Sequence, residues 1–182
     1  MPIRHDRADA DRFRPPPVSE LRRARDKDRP AILAIVNAAA EAYRGVIPAD
    51  RFDDPYMGAA ELDREIAAGV EFWVLEEPDG TILGAMGVQP VQDVVLIRHA
   101  YVLPERQGSG VGRALLEHLR RATGEQMLVG TWASAEWAIR FYRRNGFADV
   151  GPERTAELLR RYWDIPERQI ETSVVLASPP LP

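Results

Sequence analysis

Residues 101–119, YVLPERQGSGVGRALLEHL, predict a strand, a glycine-rich loop and a helix in immediate succession. Gly108, Gly110 and Gly112 let the backbone of the loop adopt positive φ angles and approach a ligand closely. The helix begins within the loop, so its free N–H groups and the positive end of its dipole face the same point. This stretch therefore predicts an anion site suited to a pyrophosphate.

Two better-known phosphate loops do not fit this stretch. A Walker loop has a Lys-Ser or Lys-Thr pair after its glycines, whereas Gly112 is followed by Arg113. The dinucleotide pattern G-x-G-x-x-G is absent because these glycines are spaced by two, and the loop follows the fourth predicted strand rather than the first. A helix start that only needs glycine to turn is the structural alternative, but so many glycines weaken a helix start without compensation.

Hydrophobic periodicity around the loop predicts an α/β domain. Apolar residues repeat with a helical period in some segments and a period of two in others, and Pro78–Asp79–Gly80 has the composition of a hairpin turn. The predicted strands cover 19–24, 71–76, 81–88, 94–102, 127–132, 147–150 and 170–176, and the predicted helices cover 28–45, 59–68, 111–122, 136–145 and 155–163. Hairpins combined with strand–helix–strand units predict a mixed sheet with helices on both faces.

The length of the chain, 182 residues, suits one domain with a single core. We predict this domain over 18–177, with a disordered leader at 1–17 that ends in three prolines and a frayed tail at 178–182. No stretch approaches the roughly 18 apolar residues of a membrane-spanning helix. The N-terminus lacks the apolar core of a secretory signal. We therefore expect a cytoplasmic protein without membrane partners.

Charge and cysteine content exclude other classes of function. A formal charge of −4 gives no general attraction to nucleic acid. The lack of cysteine excludes disulfides, thiolate metal sites and an acyl-cysteine intermediate, so a thiol in the chemistry must belong to a cosubstrate. A kinase-like enzyme would need a magnesium site, and no acidic pair beside the loop supports one. We expect no metal.

Two segments carry a resemblance to a known family. The run QGSGVG at 107–112, preceded by YVLP at 101–104, resembles the coenzyme A-binding signature Q-x-x-G-x-G of the GNAT family of N-acetyltransferases. Downstream, AIRFYRRNGF at 138–147 is similar to the family's A-x-x-F-Y-x-x-x-G-F segment. The likeness covers roughly residues 18–176. It implies a mixed, mostly antiparallel sheet with a splayed central strand pair, where the pantetheine arm of coenzyme A inserts.

The resemblance implies acetyl-CoA as the cosubstrate and assigns residues to it. The contacts would come from the strand, the loop and the start of the helix: Tyr101, Val102, Leu103, Gln107, Gly108, Ser109, Gly110, Val111, Gly112 and Arg113. The family often has an asparagine seven residues before its tyrosine; here that position is Ala135, which leaves the adjacent Ser134 as the candidate. Tyr142 matches the tyrosine proposed to protonate the departing thiolate, and a phenol is a competent acid for this step.

Attack by an amine requires a base, and several candidates remain open. His99 precedes the loop on the same strand and titrates in the useful range. Strand alternation predicts that His99 and Arg98 point to opposite faces, so that only one of them faces the cleft. The other candidates are Glu76, Glu41 and a chain of water molecules.

These features predict direct transfer of an acetyl group from acetyl-CoA to a primary amine, small or peptidic, in a ternary complex. A non-catalytic acyl-CoA-binding sensor on the same fold is the alternative. By the resemblance, Tyr43 lies where the family places substrate contacts, whereas Trp132, Trp137 and Trp163 are typical of core or lip aromatics. The 152–170 segment is either a lid or a longer connection, and the closing strand offers an edge for a homodimer.

Overall fold

A single mixed sheet organises the fold in the computed structural model, which describes residues 19–182. Its strands are β1 (Glu20–Arg23), β2 (Glu71–Glu76), β3 (Ile82–Val91), β4 (Val94–Val102), β5 (Met127–Trp132), β6 (Ala148–Asp149) and β7 (Ser173–Ser178). The helices are α1 (Arg29–Ala40), α2 (Ala59–Ala67), α3 (Val111–Thr123), α4 (Glu136–Arg144), α5 (Pro152–Tyr162) and α6 (Glu167–Glu171). The predicted leader at 1–17 lies outside the described residues.

The strands follow the order β1-β2-β3-β4-β5-β7-β6. Every neighbouring pair is antiparallel except β4 and β5, which run parallel. The predicted mixed, mostly antiparallel sheet is therefore confirmed.

Side chains of β4 alternate between two helical layers. Val95 and Ile97 share a buried cluster with Leu115 of α3, on the face covered by α3 and α4, which we call the front face. Val94 and Leu96 point to the opposite, back face, beneath α5. Helices α1 and α2 cover the same back face over β2 and β3. Truncation of a buried leucine typically costs about 2–5 kcal/mol, so both layers contribute strongly to stability.

Helix α3 follows directly from the glycine-rich loop. Its residues Val111, Leu115 and Leu119 recur every four positions and are all buried against the sheet. Gly110 before its first residue has φ 94° and Gly124 after its last has φ 62°. Both angles are left-handed, where glycine carries no Cβ penalty, so the two glycines fix where the helix begins and ends.

The start of α3 lies very close to β3 because Gly84 carries no side chain. A Cβ added at Gly84 would lie 2.8 Å from Val111 Cγ1 and 3.1 Å from the carbonyl oxygen of Tyr101. A Cβ contact of 2.8 Å is essentially never found in proteins, and one of 3.1 Å is rare. A side chain at position 84 would therefore push the start of α3, and the loop before it, away from the sheet.

Strands β4 and β5 pair only along part of their length. The parallel ladder joins Val95–Ile97 to Met127–Val129. Beyond Ile97, the edge of β4 that faces β5 has no ladder partner among residues 19–182. The two strands diverge there, as the resemblance implied.

A β-bulge interrupts β4 beside this opening. The register with β3 runs from Gly87 opposite Arg98 to Ala85 opposite Tyr101, so β4 has one residue more than β3 over this stretch. His99 lies in the bulge with φ 50°, a left-handed angle that histidine adopts more readily than most residues. The extra residue reverses the alternation and brings Tyr101 to the back face.

The expectation that Arg98 and His99 point to opposite faces is wrong. Arg98 Nη2 lies 2.8 Å and His99 Nε2 lies 3.1 Å from the same oxygen, Oε2 of Glu65 on α2. Alternation holds only along an unbroken strand, and the bulge turns His99 to the side of the residue before it.

The 152–170 segment forms two helices between β6 and β7. Helix α5 buries Leu158, Leu159 and Tyr162 against the back face, so the segment is a packed layer of the fold rather than a free lid. The five-residue helix α6 was not predicted from the sequence. None of the helices within 19–182 is long and apolar enough to cross a membrane.

The tail at 178–182, expected to fray, begins inside β7. Ser178 is the last residue of that strand and is buried. The carbonyl oxygen of Pro179 accepts a hydrogen bond of 2.7 Å from Gln126 Nε2. These contacts hold the first part of the tail against the end of β5.

Candidate active site

A cleft of about 570 Å³ opens where β4 and β5 diverge. It extends from the glycine-rich loop, past the unpaired edge of β4, to the end of α1. Of the residues predicted for the site, the cleft is lined by His99, Tyr101, Val102, Gln107, Gly108, Gly110, Gly112, Arg113 and Tyr142. The predicted motifs at 101–113 and 138–147 therefore meet at one cleft.

The glycine-rich loop presents backbone N–H groups to one end of this cleft. Gly108 and Gly110 have φ angles of 78° and 94°, which glycine adopts without strain. The first N–H of α3 to donate to the loop is that of Ala114, which bonds the carbonyl oxygen of Gly110 at 2.9 Å. The N–H groups of the three residues before it, Val111, Gly112 and Arg113, have no backbone acceptor among residues 19–182. Free donors at a helix N-terminus fit the chemistry of a pyrophosphate.

Four residues predicted as contacts do not line the cleft. The side chain of Val111 is buried against Gly84. Leu103 packs into the core, and the Ser109 hydroxyl bonds a carbonyl oxygen within the loop. Ser134 is exposed in the turn before α4. Any role of these four in ligand binding would have to come from their backbone or from a change in position.

The other residues that line the cleft include two arginines that were not assigned to it from the sequence, and one of the tryptophans expected in the core or at a lip. Arg106 and Arg144 line the cleft with exposed guanidinium groups, and Trp137 lies at its rim with its ring 5.3 Å from that of Tyr43. Arg144 forms no ion pair with a described residue, whereas its neighbour Arg143 pairs with a carboxylate of β6. Two adjacent arginines look alike in a sequence, so only the structure separates the cleft residue from the surface one.

Tyr142 lines the cleft from α4. Its side chain is almost fully buried, and the rings of Phe141 and Phe147 lie edge-on at 5.1 and 5.4 Å from its ring. Burial raises the pKa of the Tyr142 phenol, and the nearby phenol of Tyr43 adds to this effect. The hydroxyl therefore stays protonated at neutral pH and is available as a proton donor.

His99 is the one side chain among the three considered as bases that lines the cleft. Its ring stacks on Phe72, and its Nε2 is buried 3.1 Å from Glu65 Oε2, off the line of an ideal hydrogen bond. The contact with His99, together with Arg98, lowers the pKa of Glu65 and keeps that carboxylate charged. A carboxylate at Nε2 favours a proton there and leaves Nδ1 as the acceptor.

Glu76 and Glu41 are held in ion pairs away from the cleft. Glu76 accepts a hydrogen bond of 2.5 Å from Arg22, which also pairs with Asp28. Glu41 pairs with Arg44 at 2.8 Å on the surface. The facing guanidinium groups lower the pKa of both glutamates.

A second cavity of about 170 Å³ adjoins the cleft on the back face. The two cavities share six lining residues around the strand opening: Tyr43, Ile97, His99, Tyr101, Gly130 and Thr131. Burial raises the pKa of Tyr43 to about 12, with a further contribution from Tyr56, and burial raises the pKa of Tyr101 as well. The hydroxyl groups of Tyr43 and Tyr101 at this junction are therefore polar but uncharged at neutral pH.

Known proteins share both the sequence signature and the fold. Residues 68–149 match the family model of the acetyltransferase (GNAT) domain. A GNAT-family acetyltransferase from Staphylococcus aureus superimposes with a TM-score of 0.65 at 13% identity, over 88% of this chain and 98% of that one. The PaiA N-acetyltransferase of Thermoplasma acidophilum, solved with coenzyme A, superimposes with a TM-score of 0.65 at 16% identity and the same coverage.

A putative acetyltransferase from Salmonella typhimurium, solved with its cofactor acetyl-CoA, has 27% identity and a TM-score of 0.56 over 74% of this chain and 82% of that one. The matched domain model covers the glycine-rich loop and the segment that carries Tyr142. The shared fold extends over most of the chain. The chain therefore matches the acetyltransferase (GNAT) domain over residues 68–149, on the fold that GNAT-family acetyltransferases share.

Proposed function

We propose that the protein transfers the acetyl group of acetyl-CoA to a primary amine by direct attack in a ternary complex. The observation that carries this proposal is the meeting of two cavities at the opening between β4 and β5. One cavity leads to the anion-binding loop on the front face, and the other opens on the back face. A donor and an acceptor can therefore approach the same point from opposite sides.

The front cleft offers groups that suit several parts of acetyl-CoA. The free N–H groups at the start of α3 would hold the pyrophosphate, with Arg113 beside them. The unpaired edge of β4 offers backbone groups to the amides of the pantetheine arm. Arg144, which pairs with no described carboxylate, adds positive charge to the cleft and would favour a further phosphate there, whereas Arg106 already pairs with Glu77. The known complexes of related folds with coenzyme A and acetyl-CoA support this assignment.

The side chains at the junction would handle the protons of the reaction. As the amine nitrogen bonds to the acetyl carbon and the carbon–sulfur bond breaks, nitrogen must lose a proton and sulfur must gain one. We assign proton acceptance to Nδ1 of His99, which Glu65 orients, and proton donation to the hydroxyl of Tyr142. Free N–H groups of β4 would stabilise the charge that develops on the acetyl oxygen. No cysteine exists to carry the acetyl group.

Titration calorimetry with acetyl-CoA tests the donor site. Gly110→Glu places a carboxylate and a strained φ in the anion loop, and should reduce affinity more than about tenfold. Gly124→Glu is the matched control, because Gly124 has the same left-handed conformation at the other end of α3 and no atom within 4 Å of its missing Cβ. Failure of the native protein to bind acetyl-CoA at high micromolar concentration, or equal binding by the two variants, would rule out the assigned site.

Thiol release in the presence of amines tests transfer. Tyr142→Phe should retain acetyl-CoA affinity while kcat falls about 10²-fold, because general acid catalysis typically contributes 10²–10⁴. A non-catalytic sensor would instead bind acetyl-CoA, release no thiol with any amine and show no effect of Tyr142→Phe on binding. These outcomes separate the proposed enzyme from the alternative on the same fold.

A further inference from the structure

One wall of the back-face cavity is aromatic and aliphatic, and much of the rest of its lining is polar, with Arg98, His99 and Gln169 among the residues there. Aromatic rings of Tyr56, Trp132 and Trp163 line it together with the side chains of Leu159 and Ile165. Tyr56 is itself fixed by stacking on Tyr43, with ring centroids 5.8 Å apart. At about 170 Å³, the cavity is smaller than the roughly 300–1,000 Å³ of sites for drug-sized ligands. Its size and walls suit one ring or a short branched chain.

No carboxylate lines this cavity within the part of the chain that the structure describes. Arg98 is the one lining residue with a permanent charge, and that charge is positive. Its guanidinium is already held by Glu65 and Gln89 at 2.8 and 2.7 Å. An acceptor with a second ammonium group would have to place it among aromatic walls without an anionic partner and near this guanidinium, which is unfavourable.

The wall formed by α5 reaches the point where the reaction would occur. Gly130 of β5 lies in both cavities, and a Cβ added there would be 3.3 Å from Leu159 Cδ2 and 3.5 Å from the indole of Trp163. The missing side chain lets the indole pack directly against β5 at the strand opening. The carbon atoms next to a reacting amine would therefore meet an apolar surface.

From these contacts we infer that the acceptor is a small molecule with a single amino group and an aromatic or branched apolar body. This inference rests on the proposed function and adds the acceptor class to it. Polyamines, which carry several ammonium groups, do not match a cavity whose described lining contains no carboxylate. The apolar body occupies the cavity between Tyr56 and Trp163, and the amine points through the strand opening toward the acetyl group.

Thiol-release kinetics with a matched set of amines tests the class. Phenethylamine carries a phenyl ring where butylamine carries its terminal ethyl group, and putrescine differs from butylamine by a second amino group at the far end. We expect kcat/KM to be about tenfold higher for phenethylamine than for butylamine, and lower for putrescine than for butylamine. Activity with putrescine or spermidine equal to that with phenethylamine would overturn the acceptor class but leave the proposed transfer intact. Acetyl-CoA binding without release of the coenzyme A thiol in the presence of any amine would overturn both the acceptor class and the proposed transfer.

Two substitutions test the walls directly. Gln169→Glu puts a carboxylate into the cavity with almost no change in shape, and should raise kcat/KM for putrescine relative to phenethylamine by about threefold or more. Trp163→Ala should lower kcat/KM for phenethylamine more than for butylamine. Trp73→Ala is its control, because Trp73 packs on His118 of α3 and lines neither cavity. An unchanged preference in Gln169→Glu, or equal effects of both tryptophan substitutions on the preference, would contradict the inference.

Discussion

Gly84 links the stability of the sheet to the position of the anion loop, and Gly84→Ala tests that link. The added methyl would lie 2.8 Å from Val111 Cγ1, 3.1 Å from the Tyr101 carbonyl oxygen and 3.3 Å from Val102 Cγ2. The carbonyl belongs to a paired strand and cannot move freely, so the start of α3 must shift outward. Overpacking of this kind typically costs about 1–3 kcal/mol.

The expected result of Gly84→Ala is a loss of stability together with a loss of acetyl-CoA affinity. A cost of about 2 kcal/mol corresponds to a fall in Tm of roughly 4–8 °C for a chain of this size. Thermal unfolding measures the first effect and calorimetry with acetyl-CoA the second. The affinity should fall because the three free N–H groups at the start of α3 move with the helix.

A double-mutant cycle shows whether the methyl acts through Val111. Val111→Ala removes the nearest atom, so its combination with Gly84→Ala should be more stable than the sum of the single changes by about 1 kcal/mol or more. Gly112→Ala is the stability control, since its Cβ would meet no atom closer than 3.4 Å. An additive cycle, or a Gly84→Ala protein as stable as the native one, would refute the argument.

Two other predictions concern side chains with named charge partners. His99→Asn keeps a residue type that tolerates positive φ but removes the proposed base. The kcat/KM measured by thiol release should fall about 10²-fold, with acetyl-CoA affinity retained. An unchanged rate would mean that water, and not His99, accepts the proton of the amine. Asp28→Asn leaves the buried guanidinium of Arg22 with one carboxylate and should cost about 3 kcal/mol at neutral pH in chemical denaturation. Arg22 lowers the pKa of Asp28 in the folded state. The stabilisation by this pair is therefore complete above about pH 4 and is lost as the pH falls through the lowered pKa of Asp28. The free energy of unfolding of the native protein should thus fall more steeply in acid than that of Asp28→Asn.

The parts of the fold that could be predicted have a local cause. Helix α3 was predicted from Leu115, Leu116 and Leu119 on one side and from the glycines before it, and those same features position it in the structure. The anion loop needs no distant contact to be identified, because its glycines and the helix start lie together in the chain. The hairpin between β2 and β3 was predicted from its turn residues for the same reason.

The parts that could not be predicted depend on contacts between distant segments. The bulge at His99 arises from the register of β4 against β3, and a histidine in a strand does not reveal it. Glu65 lies on α2, far from His99 in sequence, so their contact is a property of the packed sheet. The back-face cavity is lined by residues far apart in the chain, Gly130 and Trp163 among them, and neither residue alone indicates an acceptor site.

The bulge in β4 also constrains the length of that strand. With the extra residue, Tyr101 points to the back face and Val102 to the front, beside the glycine-rich loop. Deletion of His99 would leave both side chains on these faces. A residue inserted between His99 and Tyr101, with the bulge unchanged, would exchange them, carrying a phenol to the donor side and two methyl groups to the acceptor side. The number of residues in β4 therefore matters independently of which residues they are. Relatives that keep both cavities should place their insertions in the turns on either side of β4.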